Sequence, residues 1–219
     1  MKINICLALF ALVPGAFASQ VSLSPGNVIG YLGEYSPGFA ASSILDHQTG
    51  SISEPAQTAY WLNSDGGPAN AYIVIDLGGL FHLTSFDLFN THNANYGDRG
   101  TGNFSIEAGN SIAPGIGAGS DLSGPIVTLL SGTLLSANPA SDPLVAQTFL
   151  SSDAGSYRYI RFSPHTVASS NAPCCGANNY GLNELRVFEG PVSQTPEPAT
   201  LAFLGGGLAV LGLLRKRTA

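Results

Sequence analysis

The stretch NTHNANYGDRG gathers Asn90, His92, Asn93, Asn95, Tyr96, Asp98 and Arg99 within ten residues. An aromatic face beside fixed donors and acceptors is what a hydroxyl-rich ring requires, and His92, Asn95, Tyr96 and Arg99 offer both kinds of group. The same composition suits a plain turn, because Asn, Asp and Gly bend a chain without any ligand; Arg99 then only positions the strand that follows. A second cluster is the adjacent pair Cys174 and Cys175 in NAPCCGANNYG. Consecutive Cα atoms lie about 3.8 Å apart, shorter than the usual disulfide span, so a ring between the two would be strained. A vicinal disulfide, an intermolecular bridge and a reduced pair stay open, while two thiolates alone are too few for zinc.

Catalytic signatures are missing from the sequence. No G-x-S-x-G, H-E-x-x-H or P-loop occurs, and the four histidines are scattered at 47, 82, 92 and 165. The expectation is a binding protein with no enzymatic activity. A hydrolase is the least favoured reading, since the spacing of two catalytic carboxylates is a property of the fold and not of the sequence.

The elements that must carry these residues read as strands. Ala71 to Leu77, Leu83 to Asn90, Asn103 to Ala108, Pro125 to Leu130, Val145 to Leu150, Tyr157 to Phe162 and Asn183 to Phe188 are short runs of β-branched and aromatic residues. Gly, Pro, Asn, Asp and Ser clusters separate them, which predicts an all-β antiparallel sandwich or barrel. Gly115 to Gly124 reads as a Gly/Ser-rich loop. Strict alternation in YRYIRF would put Tyr157, Tyr159 and Arg161 on one face and Arg158, Ile160 and Phe162 on the other.

Both ends read as processing segments. Lys2, an apolar stretch from Ile3 to Val13 and Ala16-Phe17-Ala18 form a secretory signal peptide over 1–18, leaving a domain over 19–190. The closing segment, 191–219, holds Pro196-Glu197-Pro198, an apolar run over 199–214 and Arg215-Lys216-Arg217. The sixteen residues of this run make a helix of about 24 Å, short for a ~30 Å hydrocarbon core, so a brief transmembrane helix is expected with its basic end in the cytoplasm. Between Ser19 and Thr195 there are four arginines, no lysine and thirteen acidic residues, a net charge of −9. Such a domain is a poor partner for nucleic acid or anionic lipid, and leaves divalent cations and neutral ligands such as sugars open.

Two resemblances follow from these residues. Trp61, the run Ile75-Asp76-Leu77-Gly78, Arg99-Gly100 leading into Asn103-Phe104-Ser105-Ile106, the strand Arg158 to Phe162 and Gly181-Leu182-Asn183-Glu184 occur in the order seen in F5/8 type C (discoidin-like) domains. This likeness to the galactose-binding-like superfamily covers Ile44 to Gly190 and implies a jelly-roll β-sandwich that binds glycans through loops at one end. It also implies a structural calcium ion held by Asp46 and Glu184 with backbone carbonyls, although His47-Gln48 stand where the commoner form has Gly-Asn. The tail, with Pro196, Glu197, Pro198 and the basic cluster Arg215, Lys216 and Arg217, resembles the PEP-CTERM sorting signal of Gram-negative bacteria. That resemblance implies export across the inner membrane, transient anchoring, processing by an exosortase, and a place at the cell surface or in a matrix beside extracellular polysaccharide. The expectation is therefore a carbohydrate-binding surface protein; the alternative is a structural matrix protein with no specific small ligand.

Overall fold

The structure is a computed structural model that describes residues 18–49, 60–64, 67–91, 99–137, 143–168 and 178–190. Twelve strands lie among them: β1 (Ser19–Gln20), β2 (Val28–Leu32), β3 (Trp61–Leu62), β4 (Tyr72–Phe89), β5 (Gly100–Thr101), β6 (Asn103–Pro114), β7 (Ala118–Thr133), β8 (Ala146–Leu150), β9 (Ser156–Pro164), β10 (Val167–Ala168), β11 (Gly181–Leu182) and β12 (Glu184–Glu189). Every ladder is antiparallel.

Strand β4 joins the two layers of the sandwich. Its first part, Tyr72 to Asp76, lies between β2 and β9, and its last part, Leu83 to Phe89, lies between β12 and β8. The corner falls at Gly78, whose φ of 82° is open to glycine and costly to other residues. Two runs that the sequence separates are thus one continuous strand.

Alternation along the strands fills the space between the layers. Ile73, Ile75, Phe86, Leu88, Phe104, Ile106, Ile160, Phe162, Leu185 and Val187 form one buried cluster around Trp61. The Trp61 ring meets Phe162 edge-on at 6.4 Å, and its Nε1–H donates to Gly33 O at 2.8 Å, which satisfies the one polar atom of a fully buried indole. Alternation holds over 159–162 but not before it. A register shift on β4 between Asp76 and Phe81 turns Tyr157 toward this core, while Arg158 stays exposed and pairs with Asp76.

The segment expected to be a Gly/Ser loop is mostly strand. β6 and β7 form one long hairpin with its turn over 115–117, and the hairpin curls across the outer face of the sheet until β7 pairs with β2 through Gly30↔Gly119 and Tyr31↔Ala118. The glycines serve close approach rather than flexibility. A Cβ on Gly30 would collide with Ser120 O, one on Gly117 with Tyr31 O, and one on Gly119 with Ile29 O. The ladders β4–β2–β7–β6–β9–β4 thereby close on themselves. Beneath the curled hairpin sits a second, smaller core of Tyr72, Val74, Leu122 and Tyr159.

Candidate functional site

The end of the sandwich that carries residues 92–98 is braced by buried polar groups. Asn90, 2% exposed, donates from Nδ2 to Thr101 O at 2.8 Å and to Leu135 O at 2.9 Å, and its Oδ1 accepts from the N–H groups of Thr91 and Thr101. Thr101 Oγ1 then donates to Gly181 O at 2.8 Å, joining the β5–β10 ladder to the β3–β11 ladder. Asn63 does the same on the other side, donating to Pro68 O and Asn178 O. Arg99, half-buried, lies with its backbone oxygen against Gly181. Leu135 and Val145 are exposed beside this base and, with Asn90 and Gln147, line a hollow of about 220 Å³. Of the four residues expected to contact a ligand, Arg99 is at this base; His92, Asn95 and Tyr96 lie outside the described residues, as do Cys174 and Cys175.

Asp46 and Glu184, 138 positions apart in sequence, are near enough for the Asp46 charge to act on Glu184, but they share no hydrogen bond. Glu184 opens β12 and is fully buried, and Asp46 follows the 3₁₀ turn Ala41–Leu45. Burial pushes the Glu184 carboxyl up to about 7, and the nearby Asp46 charge adds to this, against the opposing pull of His47 and Arg186. Burial also raises Asp46, whose Oδ1 accepts from Gln48 N at 2.9 Å.

Sequence reasoning missed His47. It adopts φ 64°, the left-handed conformation that glycine favours, and so swings its ring over Glu184. Glu184 Oε2 accepts from His47 N at 3.1 Å and Oε1 faces His47 Nδ1 at 3.2 Å, while Nε2 lies 2.9 Å from Leu23 O. A carbonyl oxygen only accepts, so Nε2 carries a proton. Nδ1 then either donates to a carboxylate or accepts from a protonated Glu184, and in both cases one proton is shared between the two side chains. The signal for this was present in the sequence as His47 standing in place of glycine.

The outer sheet face holds a cluster that linear spacing conceals. Arg161 on β9 donates from Nε and Nη2 to Glu107 Oε2 on β6 at 2.9 and 2.7 Å, and from Nη1 to both Asp121 oxygens on β7 at 3.0 and 3.1 Å. Burial disfavours the Arg161 charge, but the two carboxylates outweigh it and raise its pKa above the ordinary value. Its guanidinium carbon lies 5.8 Å from the centre of the Tyr72 ring. Next to this network Ser105 Oγ and His165 Nε2 are 3.1 Å apart. A cavity of about 450 Å³ opens here between the sheet face and the hairpin turn at Ile116.

This architecture is the galactose-binding-like jelly roll, the fold of discoidin-like domains. Similar solved structures include CBM32-3 from a family 31 glycoside hydrolase of Clostridium perfringens, at 14% identity and a TM-score of 0.52, covering 78% of this chain and 96% of that one. CpGH89CBM32-5 from the same organism, solved with GalNAc-β-1,3-galactose, gives 11% identity and 0.50 over 77% and 99%. A fragment of a Bacteroides thetaiotaomicron protein assigned as a chitobiase gives 17% and 0.54 over 82% and 96%. Identities this low establish the fold alone. The particular feature of this chain is its tail: residues 194–217 match the PEP-CTERM protein-sorting motif. The motif marks the chain for export with a membrane-anchoring sorting signal. Its Pro196, Glu197 and Pro198, the apolar run 199–214 and the basic Arg215, Lys216 and Arg217 lie outside the described residues, as do residues 1–17 of the signal peptide expected over 1–18. No curated protein matches the chain in sequence.

Proposed function

We propose that this chain is an exported module that binds carbohydrate at the loop-bearing end of its sandwich, without turnover. The observation that carries the reading is the braced base: Asn90 and Thr101 tie the end of β4 to β5 and β11, and Asn63, which follows β3, is tied to Pro68 and Asn178. A rigid base of this kind lowers the ordering cost of binding a hydroxyl-rich ligand, and exposed Leu135 and Val145 beside it offer apolar surface to a sugar ring. Export beside polysaccharide, with exosortase removing the tail near Pro196-Glu197-Pro198 in a Gram-negative cell, supplies such a ligand. His92, Asn95, Tyr96 and Arg99 remain the contacts assigned to it. Screening the purified protein and its His92→Ala/Tyr96→Ala variant on a glycan array tests this: wild-type binding that is weaker in the variant supports it, and equal binding by both removes the loop from the site.

The Asp46 and Glu184 pair is assigned differently from the family expectation. Calcium takes six to eight oxygen ligands. Here the His47 ring spans Glu184 Oε1 and Leu23 O, its own N–H holds Oε2, and Asp46 Oδ1 is turned to Gln48 N. That donor set does not fit a calcium ion as arranged. The reading proposed is that His47 and its shared proton close the site that a cation closes in the commoner Asp-Gly-Asn form.

A further inference from the structure

The cavity over the outer sheet face belongs to none of the roles above. It lies over β4, β6, β7 and β9, rimmed by the turns at Asn70 and Ile116, and its size falls within the range of small-ligand sites, roughly 300–1,000 Å³. We propose that it is a second carbohydrate site, which takes an uncharged sugar residue.

Four observations lead there. Arg161 is fixed on both sides by carboxylates, so its position and theirs are set before any ligand arrives. Glu107 meets Arg161 through Oε2 alone, which leaves Oε1 to accept a hydroxyl proton. That acceptor and the one Arg161 N–H not given to a carboxylate, the second on Nη2, would match adjacent hydroxyls on a sugar ring, each of which both gives and accepts a hydrogen bond. Second, Tyr72 is only 4% exposed and lines the cavity, yet its hydroxyl has no partner among the described residues. A buried, unmade hydrogen bond is costly, and a ligand or ordered water in the cavity would relieve it.

Third, Ile116 at the hairpin turn is 76% exposed at the rim, an apolar surface for the C–H face of a ring. Fourth, one guanidinium faces two carboxylates, so the network carries one net negative charge and repels uronates and sulfated sugars. The curled hairpin explains why such a cavity exists. Without the glycine contacts that draw β7 onto β2, Asp121 and Ile116 would not stand over the sheet face.

The test is calorimetric titration of the purified protein with neutral galacto- and gluco-oligosaccharides and with oligogalacturonate. Three variants accompany the wild type: Arg161→Met, Ser163→Leu to fill the cavity that Ser163 lines from β9, and the loop pair His92→Ala/Tyr96→Ala. The expected result is two neutral-sugar sites in the wild type, of which the loop pair loses the end site and keeps the cavity site. Binding at the cavity site should weaken roughly tenfold or more, the size of one charge-assisted hydrogen bond, in Arg161→Met and Ser163→Leu. Ser163→Leu leaves the ion network in place, so a loss there with unchanged thermal stability separates ligand contact from folding. Unchanged affinity in Ser163→Leu, no neutral sugar bound by the wild type, or oligogalacturonate bound as tightly as neutral sugar would each overturn the proposal. Loss in the loop pair alone overturns it while sustaining the loop site; loss in the cavity variants alone does the reverse.

Discussion

Three glycines allow the curled hairpin to be tested by separating two costs that usually occur together. At Gly78 φ is 82° and a Cβ would meet nothing within 4 Å, so alanine there incurs only the left-handed backbone cost. That is about 1–2 kcal/mol, offset by about 0.4–1 kcal/mol from the stiffer unfolded chain. Gly30 is the converse case, since its φ is not positive but its Cβ would strike the Ser120 backbone. A backbone obstacle cannot rotate aside, so β2 and β7 must part, which puts Gly30→Ala near the top of the roughly 1–3 kcal/mol range for overpacking. Gly119 combines both, with φ 73° and a Cβ aimed at Ile29 O, and its alanine variant should cost about 3–4 kcal/mol. Equilibrium urea unfolding, followed by fluorescence of Trp61, the single tryptophan and fully buried, reads all three. In a chain of this size each kcal/mol moves the melting temperature by about 2–4 °C, so thermal unfolding gives an independent ranking. The expected order of loss is Gly78, then Gly30, then Gly119. Should Gly78→Ala cost as much as Gly30→Ala, or Gly30→Ala cost nothing, the close approach of β2 and β7 would be refuted.

Other expectations follow from the same structure. If His47 closes the carboxylate site, the wild-type melting temperature should be the same in excess calcium and in EDTA, and His47→Gly should gain a calcium-dependent rise; a calcium-stabilised wild type would restore the metal reading. Asp76 is held below the usual carboxylate range chiefly by its hydrogen bonds from Arg158, opposed by burial. A depressed pKa contributes stability that is present above the ordinary Asp value and fades as pH falls through the folded one. Asp76→Asn should therefore flatten the acid side of the stability profile slightly, because solvent reaches the pair through exposed Arg158; an unchanged acid limb would contradict the assignment. Intact-mass analysis of the exported protein should show it to end before Ala199, and a species ending at Ala219 would count against processing at Pro196-Glu197-Pro198.

The sequence disclosed what depends on local period and lost what depends on register. Ile73 with Ile75, and Ile160 with Phe162, announce a buried face because side chains alternate along a strand, and they do line one core. β2 escaped notice because Val28–Leu32 is short and interrupted by Gly30. Gly115, Gly117 and Gly119 resembled loop residues because composition cannot tell a glycine needed for flexibility from one needed for close approach. Glu107, Asp121 and Arg161 come from three strands, and only the β6–β7 and β6–β9 ladders bring them together. Family resemblance drew notice to Asp46 and Glu184 but not to His47, whose place beside Glu184 needed its backbone angle. The sorting motif was fully legible, since it is read as a linear segment.

Carbohydrate binding is the central claim, and the most direct measurement is equilibrium titration of the purified, exported protein with the polysaccharide its own cells secrete. The account predicts saturable binding that weakens in His92→Ala/Tyr96→Ala. No saturable binding to that polysaccharide, or to any neutral glycan on an array, would contradict it and leave a sandwich that only packs against its neighbours.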